Sequence, residues 1–286
     1  MRECEAAVSS TVSQALSTSG IEPREARLLL AEATGFSEAS VLAHPQRMLP
    51  VEAERRFLDW SRRRRAGEPV AYLLGRREFY GLALAVNPNV LIPRPETELL
   101  VELALQRVAR DAEAKVLDLG TGSGAVALAV RHRRPRARVV AVEASAAALD
   151  VARRNAARLG LEVEFRHGRW FVPLGAERFS LILANPPYVA THDPHLAQGD
   201  LRFEPRQALV AGEDGLDAIR EIVRAVCAYL EPGAWFLCEH GFGQAAAVRG
   251  LLKNAGLAEV ASWPDLAGIE RVSGGRAPLT HSAAVA

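Results

Sequence analysis

Hydrophobic and polar positions divide the chain into three stretches: all-helical up to about residue 75, β-rich from Phe79 to Ile92, and strand–helix alternation from Glu96 onward. In the first stretch, Pro23 followed by Glu25, Ala26, Leu28, Leu29 and Leu30 predicts a helix that Gly35 closes. A second helix is expected after Pro50, carrying Phe57, Leu58 and Trp60 among alternating charges. Gly67, Pro69, Gly75 and Gly81 punctuate the change of pattern, and Asn87-Pro88-Asn89 is expected to turn a hairpin.

The third stretch predicts helix Glu96–Arg110, strand Lys115–Leu119, helix Ala125–His132 and strand Arg138–Val142, then a helix capped by Ser145 and ended by Gly160. Strands Glu162–Arg166, Phe179–Ala184 and Ala234–Glu239 follow, with helices Leu216–Leu230 and Gln244–Ala255 and β segments Ala258–Trp263 and Arg271–Ser273. Such alternation implies an α/β fold, a doubly wound sheet with helices on both faces. The expected domains are residues 1–75, helical; 76–93, a β-hairpin connector; and 94–286, the sheet domain, whose last ten or so residues look frayed.

Composition narrows the function. The 286 residues are 49% hydrophobic and 24% charged, as in ordinary globular proteins, and suffice for about two domains. The formal charge of +1 argues against a global field for nucleic acid or an anionic membrane. Arg62 to Arg65 is a basic run, but residues 1–75 hold ten Arg against ten Asp or Glu, so a solvated helix end is the expectation. Met1 to Ser10 contains Glu3 and Glu5 and shows no leader pattern, and no apolar run reaches the roughly 20 residues of a membrane helix. Cys4, Cys227 and Cys238 form no paired spacing, which fits a reducing compartment; a cytoplasmic location is expected. His192, His195 and His240 recur in no metal-ligand spacing, and no metal is expected.

Two local patterns carry chemistry. Asp118-Leu119-Gly120-Thr121-Gly122-Ser123-Gly124 follows the first strand of the sheet and opens a helix, so the backbone can turn sharply and a ligand can approach where a Cβ would clash. Glu143 stands at the tip of the next strand, where a doubly wound sheet holds the two ribose hydroxyls of a nucleoside; its charge would repel a 2′-phosphate. No P-loop occurs, which disfavours nucleotide triphosphate hydrolysis. Gly168-Arg169-Trp170-Phe171 follows the third strand, and Trp170 could pack on an adenine or in the core.

The second pattern is Asn185-Pro186-Pro187-Tyr188 after the strand Phe179–Ala184. Proline cannot donate, so the Asn185 side-chain oxygen and the Pro186 carbonyl can accept both hydrogens of one NH₂ group, beside the flat face of Tyr188. That arrangement suits alkylation of an amide or exocyclic nitrogen, whose delocalised lone pair must be oriented before it attacks.

The glycine loop, Glu143 and Asn185–Tyr188 together resemble class I S-adenosylmethionine-dependent methyltransferases acting on nitrogen. Glu68–Gly75, Glu78–Gly81, Ile92–Glu98, Arg202–Pro205, Gly212–Gly215, Glu239–Gly241 and Glu270–Val272 narrow the resemblance to the HemK/PrmC family, over nearly the whole chain. The resemblance implies a helical N-terminal domain, a hairpin and a seven-stranded sheet. It also implies methylation of the Gln in the Gly-Gly-Gln motif of class I peptide chain release factors; a monomer with no direct nucleic-acid binding is expected. On this carry-over, Gly120, Thr121, Gly122, Ser123, Gly124, Glu143, Trp170 and Asn185 border the cofactor, and Asn185, Pro186, Pro187 and Tyr188 hold the substrate. Arg94 and Glu98 would act near the domain junction. Arg169 departs from the family, which commonly has an acidic residue there, and an Arg cannot accept a bond from the adenine amine. The runner-up is an amino-methyltransferase on an adenine or guanine of DNA or RNA, which the charge balance opposes. A non-catalytic cofactor-binding scaffold, motivated by Arg169, is opposed by the intact Asn185–Tyr188 run.

Overall fold

The computed structural model describes residues 9–279. The leader reading rested mostly on residues before this range, and the frayed end mostly on residues after it. The chain separates into two units: one runs to Gly75 and also takes in Ala197–Phe203, and the other holds Arg76–Leu196 and the chain from Glu204 onward.

The first unit is helical: α1 (Val12–Thr18), α2 (Pro23–Thr34), α3 (Glu38–Ala43), α4 (Val51–Arg65) and α5 (Val70–Leu74). Helix α2 starts at its proline and ends at a left-handed Gly35, as its sequence predicts. Leu29, Leu30 and Phe57 are fully buried and form its core with Val12 and Val41. The Arg62–Arg65 run closes α4, where a helix favours positive charge. Arg63 pairs with Glu68 at 2.6 Å, and Arg64 pairs with Glu25 at 2.7 Å.

One segment departs from the sequence reading, which placed Ala197–Phe203 in the sheet domain. Arg64 also donates to Asp200 Oδ1 at 2.9 Å, and Arg202 donates to the Ala66 carbonyl at 2.8 Å, so these residues belong with the helices.

The second unit opens with a hairpin, β1 (Arg76–Phe79) and β2 (Leu82–Ala85). Its turn is Tyr80-Gly81, not Asn87-Pro88-Asn89. Both turn residues have positive φ (52° and 80°), the two-residue geometry that matches strand twist and that the fixed φ of Pro88 could not supply. Asn87 makes its own turn after β2, its side chain accepting from Asn89 N at 2.9 Å. A 3₁₀ turn over Pro95–Thr97 then leads into α6 (Glu98–Arg107), shorter at both ends than its apolar pattern suggests.

Beyond it come β3 (Lys115–Leu119), α7 (Ala125–Arg133), β4 (Arg138–Glu143), α8 (Ala146–Leu159), β5 (Glu164–His167) and β6 (Phe179–Ala184). The unit ends with α9 (Asp217–Tyr229), β7 (Leu230–Glu239), α10 (Ala245–Asn254), β8 (Ala258–Pro264) and β9 (Glu270–Arg276). The seven strands run in the order β5-β4-β3-β6-β7-β9-β8, parallel through β7, with β9 antiparallel to both its neighbours.

Both faces of the sheet are covered, so the central strands are buried along most of their length and mostly apolar. Along β3, Val116 enters the core shared with α6, α7 and the hairpin, while Leu117 and Leu119 enter the opposite core with α9 and α10. Strand order reverses between β3 and β6, which opens a crevice at their carboxyl ends, where this architecture places its ligands.

Candidate active site

The crevice holds a cavity of about 400 Å³. Its floor is the loop that leaves β3. Asp118 is buried at the end of that strand, and its Oδ2 accepts from Thr121 Oγ1 at 2.6 Å and from Ala127 N at 3.2 Å. One carboxylate thus folds the loop back on itself and satisfies a free amide in the first turn of α7. Burial pushes the Asp118 carboxyl up to about 6 against these two hydrogen bonds, and Glu143 adds to the rise. Gly120 takes φ +72°, and a Cβ there would stand 3.2 Å from the Trp170 ring; a Cβ on Gly122 would meet nothing within 4 Å. The loop therefore packs tightly under Trp170 and is open at Gly122.

Gly120, Thr121, Gly122 and Ser123 line the cavity; Gly124 does not. Gly124 caps α7, and its α-carbon faces Leu128 and Ala152. Glu143 lies on the wall at the end of β4, accepting from Gly122 N at 2.9 Å through one oxygen and from Ser145 N at 2.8 Å through the other. Each oxygen keeps a lone pair for a further donor such as a ribose hydroxyl. Trp170 lines the cavity in a left-handed conformation, φ 46°. Its neighbour Arg169 is turned onto α9, where its Nε donates to Glu221 Oε1 at 2.8 Å and its Nη2 to the other oxygen, leaving the side chain 59% exposed.

Asn185 follows β6 and also lines the cavity. Its Nδ2 donates to Thr97 Oγ1 at 3.1 Å, while its Oδ1 is buried with no partner among the described residues. Pro187 lines the cavity as well, but Pro186 and Tyr188 do not. Pro186 is buried in the turn, and the Tyr188 hydroxyl points at Glu239, donating to its Oε1 at 3.3 Å. The Tyr188 carbonyl accepts from Gln244 Nε2 at 3.0 Å. Burial raises the Tyr188 hydroxyl above its ordinary range, with the Glu239 charge next, so it remains a donor.

Several residues at the site were not singled out from sequence. Asn89, Val90 and Pro93 line the cavity after the hairpin, and Ala211, Asp217 and Ala218 line it before and at the start of α9. They come from segments that only the fold brings together. Arg94 pairs with the fully buried Glu204, which also accepts from Ile92 N at 3.2 Å, and Glu98 accepts from Tyr80 N at 3.0 Å. Both residues therefore act inside the second unit.

Two family models match the chain, the PrmC N-terminal domain over residues 8–75 and the methyltransferase small domain over residues 96–204. A release factor glutamine methyltransferase of Burkholderia pseudomallei (strain K96243) is 51% identical over 275 residues, 94% of this chain and 96% of that protein. Enzymes of the same name from Pseudomonas aeruginosa and Vibrio cholerae are 51% and 43% identical, each over 88% of this chain and over 91% and 88% of their own. Among solved structures, a T. thermophilus 16S rRNA methyltransferase in complex with AdoMet and guanosine aligns with a TM-score of 0.54 at 21% identity, covering 71% of this chain and 49% of that one. A methyltransferase of Pyrococcus furiosus aligns with a TM-score of 0.54 at 15% identity, covering 77% of this chain and 98% of that one. These two likenesses are to the fold, which is that of class I methyltransferases.

Proposed function

The chain belongs to the release factor glutamine methyltransferase family, and from that premise we propose that it methylates the side-chain amide nitrogen of the Gln in the Gly-Gly-Gln motif of class I peptide chain release factors. The cofactor, S-adenosyl-L-methionine, supplies an electrophilic methyl group when bound and leaves as S-adenosyl-L-homocysteine. The residues present fit it: the cavity has the volume of a small-molecule site, Glu143 has lone pairs for two hydroxyls, and the loop is open at Gly122. Gly120–Ser123, Glu143 and Trp170 are the groups that hold it.

The observation that carries the reading is Asn185 Oδ1, a buried acceptor with no donor among the described residues, in a residue on the wall of that cavity. A buried acceptor left alone costs about 1–3 kcal/mol, which a donor from the substrate relieves. Thr97 holds the other end of the same amide. Asn185 Oδ1 takes one hydrogen of the substrate NH₂ and the Pro186 carbonyl takes the second. The nitrogen lone pair is thereby turned toward the methyl donor, and the work of the protein is positioning plus electrostatics. A proton leaves readily once the nitrogen carries the new bond, so no general base is needed beforehand.

The helical unit supplies docking area for the protein substrate, which a four-residue cradle alone cannot. We place the enzyme in the cytoplasm as a monomer that does not bind nucleic acid directly; among the described residues no helix is long and apolar enough to cross a membrane. The test is transfer of labelled methyl from S-adenosylmethionine to an unmodified class I release factor, beside its Gly-Gly-Gln Gln→Ala variant and duplex DNA. Label on the wild-type factor alone is expected; label on DNA would move the function to nucleobase amines.

A further inference from the structure

Glu239 ends β7 and is buried inside the group of side chains that holds Asn185–Tyr188. One oxygen accepts from the Tyr188 hydroxyl, and the other, Oε2, is buried without a geometric hydrogen bond among the described residues. Thr97, which accepts from Asn185, also lies close enough for its hydroxyl to favour the charged form of this carboxyl. One acid therefore stands behind both ends of the tetrapeptide, through Thr97 at Asn185 and directly at Tyr188. Gln244 closes the arrangement by binding the Tyr188 carbonyl and accepting from Gly241 N at 2.8 Å.

Fold stability gives no reason for a carboxyl here. Removing an acid from water costs free energy, and an apolar side chain of similar size would avoid that. Resting on the reading of Asn185–Tyr188 as the amide cradle, we propose that Glu239 is a positioning residue for methyl transfer. By receiving the Tyr188 hydroxyl it fixes the ring beside which the acceptor amide is held.

Burial pushes the Glu239 carboxyl up to about 7, so its charge changes within the working pH range. The groups that face it are Tyr188 after β6, Thr97 and Glu96 ahead of α6, and Arg271 of β9; Glu96 raises it further and Arg271 lowers it. Ionised, Glu239 binds the Tyr188 hydroxyl through a charge-assisted bond; protonated, it binds more weakly. Turnover of the wild-type enzyme should therefore rise as pH passes through about 7.

The experiment is single-turnover methyl transfer by the full-length chain, at saturating cofactor and release factor, between about pH 6 and pH 8. Wild type, Glu239→Gln, Glu239→Ala and Asn185→Ala are compared, with cofactor affinity measured by calorimetry on each. Glu239→Ala should lower turnover by roughly tenfold to a hundredfold with cofactor affinity within twofold of wild type. Glu239→Gln should abolish the rise of turnover near neutral pH. The proposal fails if Glu239→Ala keeps turnover within twofold of wild type, or if the pH step survives unchanged in Glu239→Gln. Should Glu239→Ala not fold, the pH profile of Glu239→Gln decides alone. Full turnover in Asn185→Ala would defeat the cradle reading itself, an outcome distinct from any result at Glu239.

Discussion

Asn155 pairs with Ala85 as one strand pairs with another: its side-chain amide accepts from the Ala85 N–H at 2.7 Å and donates to the Ala85 carbonyl at 3.0 Å. The same Nδ2 donates to the Ser123 carbonyl at 2.9 Å, so a fully buried Asn on α8 ties the edge of the hairpin to the cofactor loop. Asn155→Ala would strand three backbone groups. It should destabilise the protein by about 3 kcal/mol in denaturant unfolding and weaken cofactor binding in a titration. Asn155→Asp should fare no better, because a carboxylate cannot donate to either carbonyl.

Asp118 predicts a pH dependence with a definite sign. Its carboxyl is raised from 3.8 unfolded to about 6 folded, so the folded state holds the proton more tightly. The contribution is present in full below about pH 4 and is lost as pH rises through 6, to an extent on the order of 2–3 kcal/mol. Unfolding free energies of wild type and Asp118→Asn, measured side by side across that window, should show the gap between them changing with pH and then levelling.

Gly215 stands behind Tyr188, and no local pattern connects the two. It has φ +76°, and a Cβ would lie 2.3 Å from the Tyr188 carbonyl oxygen and 2.8 Å from Gln244 Nε2. Backbone cannot step aside as a side-chain tip can. Gly215→Ala should therefore reduce turnover at least about tenfold while cofactor affinity holds, as expected when an acceptor cradle moves by a fraction of an ångström.

Arg169→Ala should change the Michaelis constant for the cofactor more than turnover, because Arg169 neighbours Trp170 at the cavity wall and touches no residue of the amide cradle. Its pair with Glu221 is solvent-exposed (59% and 44%), so a double-mutant cycle on unfolding should find a coupling below about 1 kcal/mol. A collapse of turnover alone would assign this position to the acceptor side.

What could be read in the sequence was what neighbouring residues encode. Strands β3 and β6 have the bounds their sequence predicts, since burial on both faces leaves short, mostly apolar runs cut off by Gly120 and Asn185. Helix α8 lies between its cap residues, Ser145 and Gly160, for the same reason. The hairpin turn was misplaced because Tyr80 is no ordinary turn residue; its left-handed backbone is imposed by the strand pairing around it. Ala197–Phe203 could not be assigned because the Arg64–Asp200 bond spans 136 residues and leaves no periodicity. The site divides in the same way. Its local motifs were visible, whereas Thr97, Glu239 and Gln244 reach Asn185–Tyr188 from 88, 51 and 56 residues away.

Leu119 and Ala184, the last residues of β3 and β6, are register partners. The cofactor loop and the amide cradle therefore begin on the same rung of one ladder, on neighbouring strands about 4.8 Å apart. The hydrogen bonds between these strands act as a ruler between the two reactants. A slip of two residues, the smallest that keeps every side chain on its own face, would shift one cradle by about 7 Å against the other, whereas transfer requires an approach of about 3–3.5 Å. Insertions in the outer loops leave that ruler intact, but one residue added within either strand would pull the reactants out of reach.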